Sequence, residues 1–161
     1  MKRIWAPWRM KFIEDPKQKG CVFCNVLAQN NDASNLVVFR GRLAFVILNR
    51  YPYTSGHLMV VANLHKPSFE GLDVETRSEM MELATTGLQV LRVVYKPEAF
   101  NFGANIGKAA GAGIAGHVHL HIVPRWTGDS NFMSTVGSTR VLPESLDETY
   151  QRIFSAWNSD K

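Results

Sequence analysis

Apolar and polar positions change period along the chain, and the changes mark its elements. Leu36-Val37-Val38-Phe39 and Leu43-Ala44-Phe45-Val46-Ile47-Leu48 are short apolar runs around Arg40-Gly41-Arg42, which predicts a hairpin of two strands. A loop over residues 49–56, containing Pro52 and Gly56, leads to a third strand over 57–62. The period then lengthens. Val74, Met81, Ala84, Leu88, Leu91 and Tyr95 recur at helical spacing, forming one stripe of a long helix that Pro97 stops. Residues 99–106 read as a fourth strand, and 107–113 as a glycine-rich turn. The turn feeds His117-Val118-His119-Leu120-His121-Ile122-Val123, whose strict alternation predicts a fifth strand.

The flanks are plainer. Residues 1–20 are aromatic and basic, with Pro7 and Pro16, and read as an extended arm. A short helix is expected over 22–29 and a polar loop over 30–35. After Trp126 a loop precedes a short strand near 139–142, and Leu146, Tyr150, Ile153 and Phe154 mark an amphipathic C-terminal helix. There is no repeat and no low-complexity stretch. Neighbouring strands with few helices predict an α+β fold with an antiparallel sheet of about five strands, one long helix and one C-terminal helix. The expected domain is single, 1–161, with 1–20 as an arm and 127–161 as an extension.

Composition narrows the classes. A chain of 161 residues, 45% hydrophobic and 20% charged, can bury a proper core. No apolar run approaches the length of a membrane span. The charged N-terminus has no apolar stretch behind it, so a secretory signal is not expected and the cytoplasm is the default location. Net charge is +4. That is either a solvated surface or a preference for anionic ligands. The 18 basic residues are scattered, which argues against nucleic acid as partner.

The histidines concentrate the chemistry. Three of the five fall between 117 and 121, on one face of a strand, with Val118, Leu120 and Ile122 on the other. A strand rises about 3.3 Å per residue, so the rings would stand roughly 6.6 Å apart. They could be solvated surface rings, a pair of metal ligands, or a nucleophile with its helpers. Imidazole attack on phosphorus or carbonyl carbon needs one ring nitrogen fixed by an acceptor and donors for the transition-state oxygens. The turn over 107–113 can offer backbone N–H groups to a phosphate.

The run His117 to Val123 closely resembles the signature of the histidine triad family of nucleotidyl hydrolases and transferases, His-φ-His-φ-His-φ-φ with φ apolar. Asn49-Arg50-Tyr51-Pro52-Tyr53-Thr54-Ser55-Gly56-His57 resembles the family's ribose-binding loop and extra histidine, and Asn105 with 107–113 its phosphate loop. The resemblance covers about residues 20–126. Trp5-Ala6-Pro7-Trp8-Arg9 and the segment from Pro124 to Met133 resemble a narrower branch, bacterial diadenosine tetraphosphate phosphorylases.

The resemblance implies roles. His119 would attack the α-phosphorus and carry the nucleotidyl group. His121 would contact the phosphate or leaving group, His57 would hold the row from behind, and His117 completes the catalytic set. Asn49 would bond the ribose hydroxyls; Asn105 and the backbone of Gly111, Ala112 and Gly113 would hold the phosphates. Leu43, Phe45 and Leu48 lie where the family walls its base pocket, although each reads equally well as plain core. Many members carry a glutamine where this chain has Gly113, so a side-chain donor is missing there.

Cys21 and Cys24 form a Cys-x-x-Cys pair. In a cytosolic chain a structural disulfide is not expected, and no βαβ pattern accompanies the pair as in a redox motif. Two buried cysteines or half of a metal site remain. The related uridylyltransferases and several bacterial histidine triad proteins bind zinc with such a pair and two histidines, which gives Cys21, Cys24, His65 and His117. No organic cofactor is expected. If zinc takes His117, acid duty falls to His121 or to water.

The reading is an enzyme that cleaves a dinucleoside polyphosphate, with orthophosphate as acceptor if a phosphorylase and water if a hydrolase. A nucleoside phosphoramidate hydrolase and a nucleotide-binding module with little turnover are the alternatives. Lys108, Arg125 and Arg140 are candidates for a second anion site, and Trp126 for a shield against water. A homodimer or larger homo-oligomer is expected from the family.

Overall fold

The computed structural model describes residues 20–129, 136 and 142–159. The N-terminal arm and the strand expected near 139–142 lie outside the described residues, apart from Gly20 and Leu142. Five strands form one sheet in the order β1-β2-β3-β5-β4: β1 Val37–Arg40, β2 Ala44–Leu48, β3 Leu58–Ala62, β4 Ala99–Gly103 and β5 His119–Arg125. Every pairing is antiparallel. Around it run helices α1 Val22–Ala28, α2 Asp32–Asn35, α3 Val74–Tyr95 and α4 Leu146–Asn158.

The central strands β2 and β3 are buried at every position, so their continuous apolar runs reflect cover on both faces rather than one wet face. Register divides those faces. Ile47, Met59, His121 and Gly103 lie in one cross-strand row; Phe45, Val61 and His119 form the next. These residues share the histidine face. Leu48, Leu58, Ile122 and Phe102 form a row on the opposite face, toward α3. There α3 lies close because Gly87 has no side chain; a Cβ would stand 3.0 Å from Ile122 Cδ1.

Several expectations need correction. The stripe of α3 is rotated from the expected one: Met80, Leu83, Ala84, Gly87, Val90 and Leu91 are buried, whereas Val74 and Met81 are exposed. The polar loop over 30–35 holds the helical turn α2, ended by Leu36 in a left-handed conformation instead of in a strand. β4 stops at Gly103, three residues short of expectation. In α4 Trp157 joins Tyr150 and Ile153 in the core and Phe154 is exposed. Asp73 caps α3 and Ser145 with Glu148 builds a capping box at α4, so both long helices start at satisfied backbone amides.

Candidate active site

The histidines do not form an evenly spaced ladder. His117 lies two residues before β5, at the end of the turn following the glycine loop, and its ring nitrogens meet Cys21, Cys24 and the Ala62 carbonyl instead of the other imidazoles. The His119 and His121 rings are 4.7 Å apart, edge to face. His57, just before β3, completes the cluster with its centroid 5.1 Å from His121. His57 and His117 are fully buried and His119 is 5% exposed, so these are not solvated surface rings.

Backbone partners fix the tautomers. His119 Nδ1 lies 2.9 Å from the carbonyl oxygen of His117, which can only accept. Nδ1 therefore carries the proton and Nε2 keeps a lone pair. At the other end, the backbone N–H of Tyr53 donates to His57 Nδ1 at 3.2 Å, and Asn49 Nδ2 approaches the same nitrogen at 3.4 Å. His57 Nδ1 is thus an acceptor, and its proton sits on Nε2. That N–H donates to His121 Nδ1, 2.9 Å away. A neutral His121 must then bear its proton on Nε2. Adjacent imidazoles hold opposite tautomers: His119 offers a lone pair, His121 offers an N–H.

Burial keeps the rings neutral. Desolvation lowers the His119 pKa against the raising effect of its carbonyl partner. Desolvation, then the proximity of His119, pushes His121 down to about 4. Phe23, on α1, packs edge-on against His119 at 5.0 Å and His117 at 5.4 Å. Tyr53 stacks over His121 at 6.3 Å and lies 4.6 Å from His57.

The remaining site residues divide. Asn49 is half-buried at the end of β2; its side-chain oxygen accepts from Tyr51 N–H at 2.9 Å. Asn105 is half-buried after β4. The glycine loop makes one 3-10 turn, Lys108–Ala110, between Gly107 and Gly111, both at φ +83°. This positive φ favours glycine. The amide of Ala112 donates back to Gly107 O at 3.3 Å, so it is committed within the loop. None of the described backbone bonds uses the amide of Gly113. Phe45 lies on the histidine face, edge-on to Phe23 at 6.3 Å, and Leu43 is half-buried just before β2. Leu48 lies on the opposite face, and Ile47 holds the histidine-side position that was expected of it. Arg125 is bound by Asp129 at 2.6 Å and Asn101 at 2.7 Å, which removes its guanidinium from a second anion site. Arg140 lies outside the described residues.

Phe23 and Ile47 were missed by sequence reasoning, although each had a signal: one lies between the two cysteines, the other two positions from Phe45. The carbonyl of His117 and the amide of Tyr53 carry no signal in side-chain identity.

Beside the cluster, Cys21, Cys24, His65 and His117 bring one ligand atom each within 4.8 Å of one another. Cys21 Sγ lies 3.3 Å and Cys24 Sγ 3.7 Å from His117 Nδ1; Cys24 Sγ lies 3.2 Å from His65 Nδ1. His117 Nε2 lies 2.8 Å from the carbonyl oxygen of Ala62, which places its proton there and turns the Nδ1 lone pair toward the thiols. Two sulfurs and two imidazole nitrogens so disposed fit a tetrahedral zinc site.

The profile of the HIT domain family matches residues 30–128. The chain belongs to the HIT domain family, and it is a nucleotide-processing enzyme of that family. It is 35% identical over 165 aligned positions to a Mycobacterium tuberculosis protein named AP-4-A phosphorylase, spanning 98% of this chain and 85% of the relative. Among solved structures, a zinc-bound histidine triad family protein from Mycobacterium smegmatis superposes with TM-score 0.69 at 27% identity, covering 86% of this chain and 93% of the other. A Plasmodium falciparum diadenosine triphosphate hydrolase shares the fold at TM-score 0.63 and 22% identity, covering 77% of each chain.

Proposed function

We propose that the chain transfers a nucleotidyl group from a dinucleoside polyphosphate through a covalent intermediate on His119, and that it works as a diadenosine tetraphosphate phosphorylase. The observation that carries this reading is the opposed tautomer pair. His119 Nε2, its lone pair free, attacks the α-phosphorus. The P–O bond to the polyphosphate breaks, and ATP departs as an adenylyl group forms on His119. His121 Nε2–H lies beside it to hydrogen-bond the phosphoryl oxygens or the leaving oxygen. An oxygen of orthophosphate then attacks the same phosphorus, releases His119 and yields ADP. With water in that place the product is AMP.

Asn49 would hold the ribose, and Asn105 with the amide of Gly113 the phosphates. Phe23, Phe45 and Ile47 would wall the base; Lys108 is the candidate cation for the incoming phosphate. The near-complete span of the similarity to AP-4-A phosphorylase favours phosphate over water. Cys21, Cys24, His65 and His117 would hold zinc. Bound there, the ion supplies a crosslink between α1, the segment after β3 and the segment before β5. His117 stays outside the chemistry, and its carbonyl sets the nucleophile's tautomer. We further read residues 1–161 as one domain, located in the cytoplasm. Edge strand β4, with Phe102 42% exposed, is a pairing surface for a second copy.

The test is product analysis with diadenosine tetraphosphate. ADP and ATP forming only when orthophosphate is present support the phosphorylase. AMP and ATP forming without phosphate make the enzyme a hydrolase, and no turnover with tight binding makes it a binding module.

A further inference from the structure

A second polar cluster lies behind His57, and the transfer reaction does not use it. Glu144 sits just ahead of α4, with its side chain 14% exposed. Its carboxylate accepts from the Tyr95 hydroxyl at the end of α3, from Thr149 Oγ1 at 2.9 Å and from Arg152 at 2.7 Å. The Arg152 guanidinium also lies over the Tyr95 ring at 4.7 Å and donates to the carbonyl of Val94 at 3.0 Å. The Tyr95 ring is therefore fixed at its edge and on one face.

That ring is the floor under the loop that carries the hydrogen-bond relay from Tyr53 N–H through His57 to His121. Gly56 takes φ +79°, and a Cβ there would meet Tyr95 Cε2 and Leu91 Cδ2, each at 3.0 Å. The residue after it is His57. The loop closes on itself through the Asn49 amide to His57 O at 2.9 Å and the His57 amide to Thr54 O at 3.3 Å. It then delivers three groups to the site: Asn49, the Tyr53 amide and the His57 ring. A small cavity shared by Asn49, Ser55, His57, Glu144 and Thr149 separates loop from cluster.

We propose that Tyr95, Glu144 and Arg152 are positioning residues for catalysis: they hold the Asn49–His57 loop at the height at which Tyr53 N–H meets His57 Nδ1 and His57 Nε2–H meets His121. The C-terminal helix is thereby part of the catalytic apparatus: its Thr149 shares a cavity with His57, and its Arg152 binds Glu144 and covers Tyr95. This rests on the transfer mechanism proposed above only for its kinetic arm; the tautomer arm needs no substrate.

The test pairs steady-state kinetics with nitrogen-resolved spectra of the imidazoles in the ligand-free protein. Variants Tyr95→Phe and Glu144→Gln are compared with Ser145→Ala, which weakens the same helix without touching the cluster. In the wild type, His57 and His121 should each show a single Nε2–H signature. In both cluster variants that signature should average, and kcat should fall about fivefold or more. Ser145→Ala should leave signature and kcat intact. Cluster variants that keep the wild-type signature, or lose it with kcat unchanged, would overturn the inference. So would equal kinetic loss in Ser145→Ala, which would make the effect one of stability. A wild-type His57 lacking the single signature would instead sink the relay itself, and a wild type without turnover the proposed function.

Discussion

At the scale of single residues, the site is built from pairs in which one partner is a backbone group. His119 is held by a carbonyl two residues back, His57 by an amide four residues back, and His117 by Ala62 across the sheet. This explains what was legible. The alternation from His117 to Val123 and the sequence Asn49 to His57 named the side chains, because chemistry depends on residue type. It could not give tautomers, which depend on partners that any residue supplies. His65 was legible only by resemblance, yet its Nδ1 closes the cysteine cluster. Replacing His65 with Asn should abolish stoichiometric zinc, read by elemental analysis of the purified protein, while His57→Asn should leave it intact. Full zinc in the His65 variant would show that the ion binds elsewhere.

At the scale of elements, hydrophobic period located the longer helices, missed the helical turn α2 and mis-set core positions in α3 and α4. The expected stripe of α3 took Val74 and Met81 as core, where the structure buries Met80, Leu83 and Gly87. Adjacent apolar residues leave the phase ambiguous by one position, about 100° of helix rotation. Gly87 was silent for the opposite reason: its contribution is the absence of a side chain. Gly87→Val should destabilise by roughly 1–3 kcal/mol through overpacking against Ile122 and Leu58, seen as a lowered Tm. A Tm unchanged within a degree would mean that α3 can lift off the sheet at little cost. At α4 the capping box predicts a smaller loss: Ser145→Ala should cost about 1 kcal/mol, read by denaturant unfolding. Strand ends were legible to within a few residues, since termination depends on pairing, and β4 pairs β5 only as far as Gly103 with His121.

At the scale of the whole molecule, burying imidazoles between two layers makes stability and activity depend on pH in the same direction. His121 is pushed from an ordinary 6.5 down to about 4 by desolvation and by its neighbour. A histidine with its folded pKa depressed binds protons more readily when unfolded. Its favourable contribution is therefore complete above about pH 6.5 and declines as pH falls through the window toward 4. The rate should follow through His119, whose attacking lone pair a proton would remove and whose pKa burial also lowers: the acid limb of the kcat profile should lie below the value for an exposed imidazole. An acid limb near 6.5 would mean that the ring is solvated in the working enzyme. Among the described residues no helix is long and apolar enough to cross a membrane, and the layered α+β sheet was readable from strand and helix order alone. The link between the histidine cluster and the cysteine cluster through His117 was legible only by resemblance, because it depends on His117 meeting the thiols through Nδ1. The most direct test of the account is to quench a reaction with diadenosine tetraphosphate into alkaline denaturant, in the absence of phosphate, and to map the product by peptide mass spectrometry. The account predicts one adenylyl group on His119, acid-labile and absent from His119→Ala. Turnover with no adduct on any histidine, or an adduct that persists in His119→Ala, would contradict it.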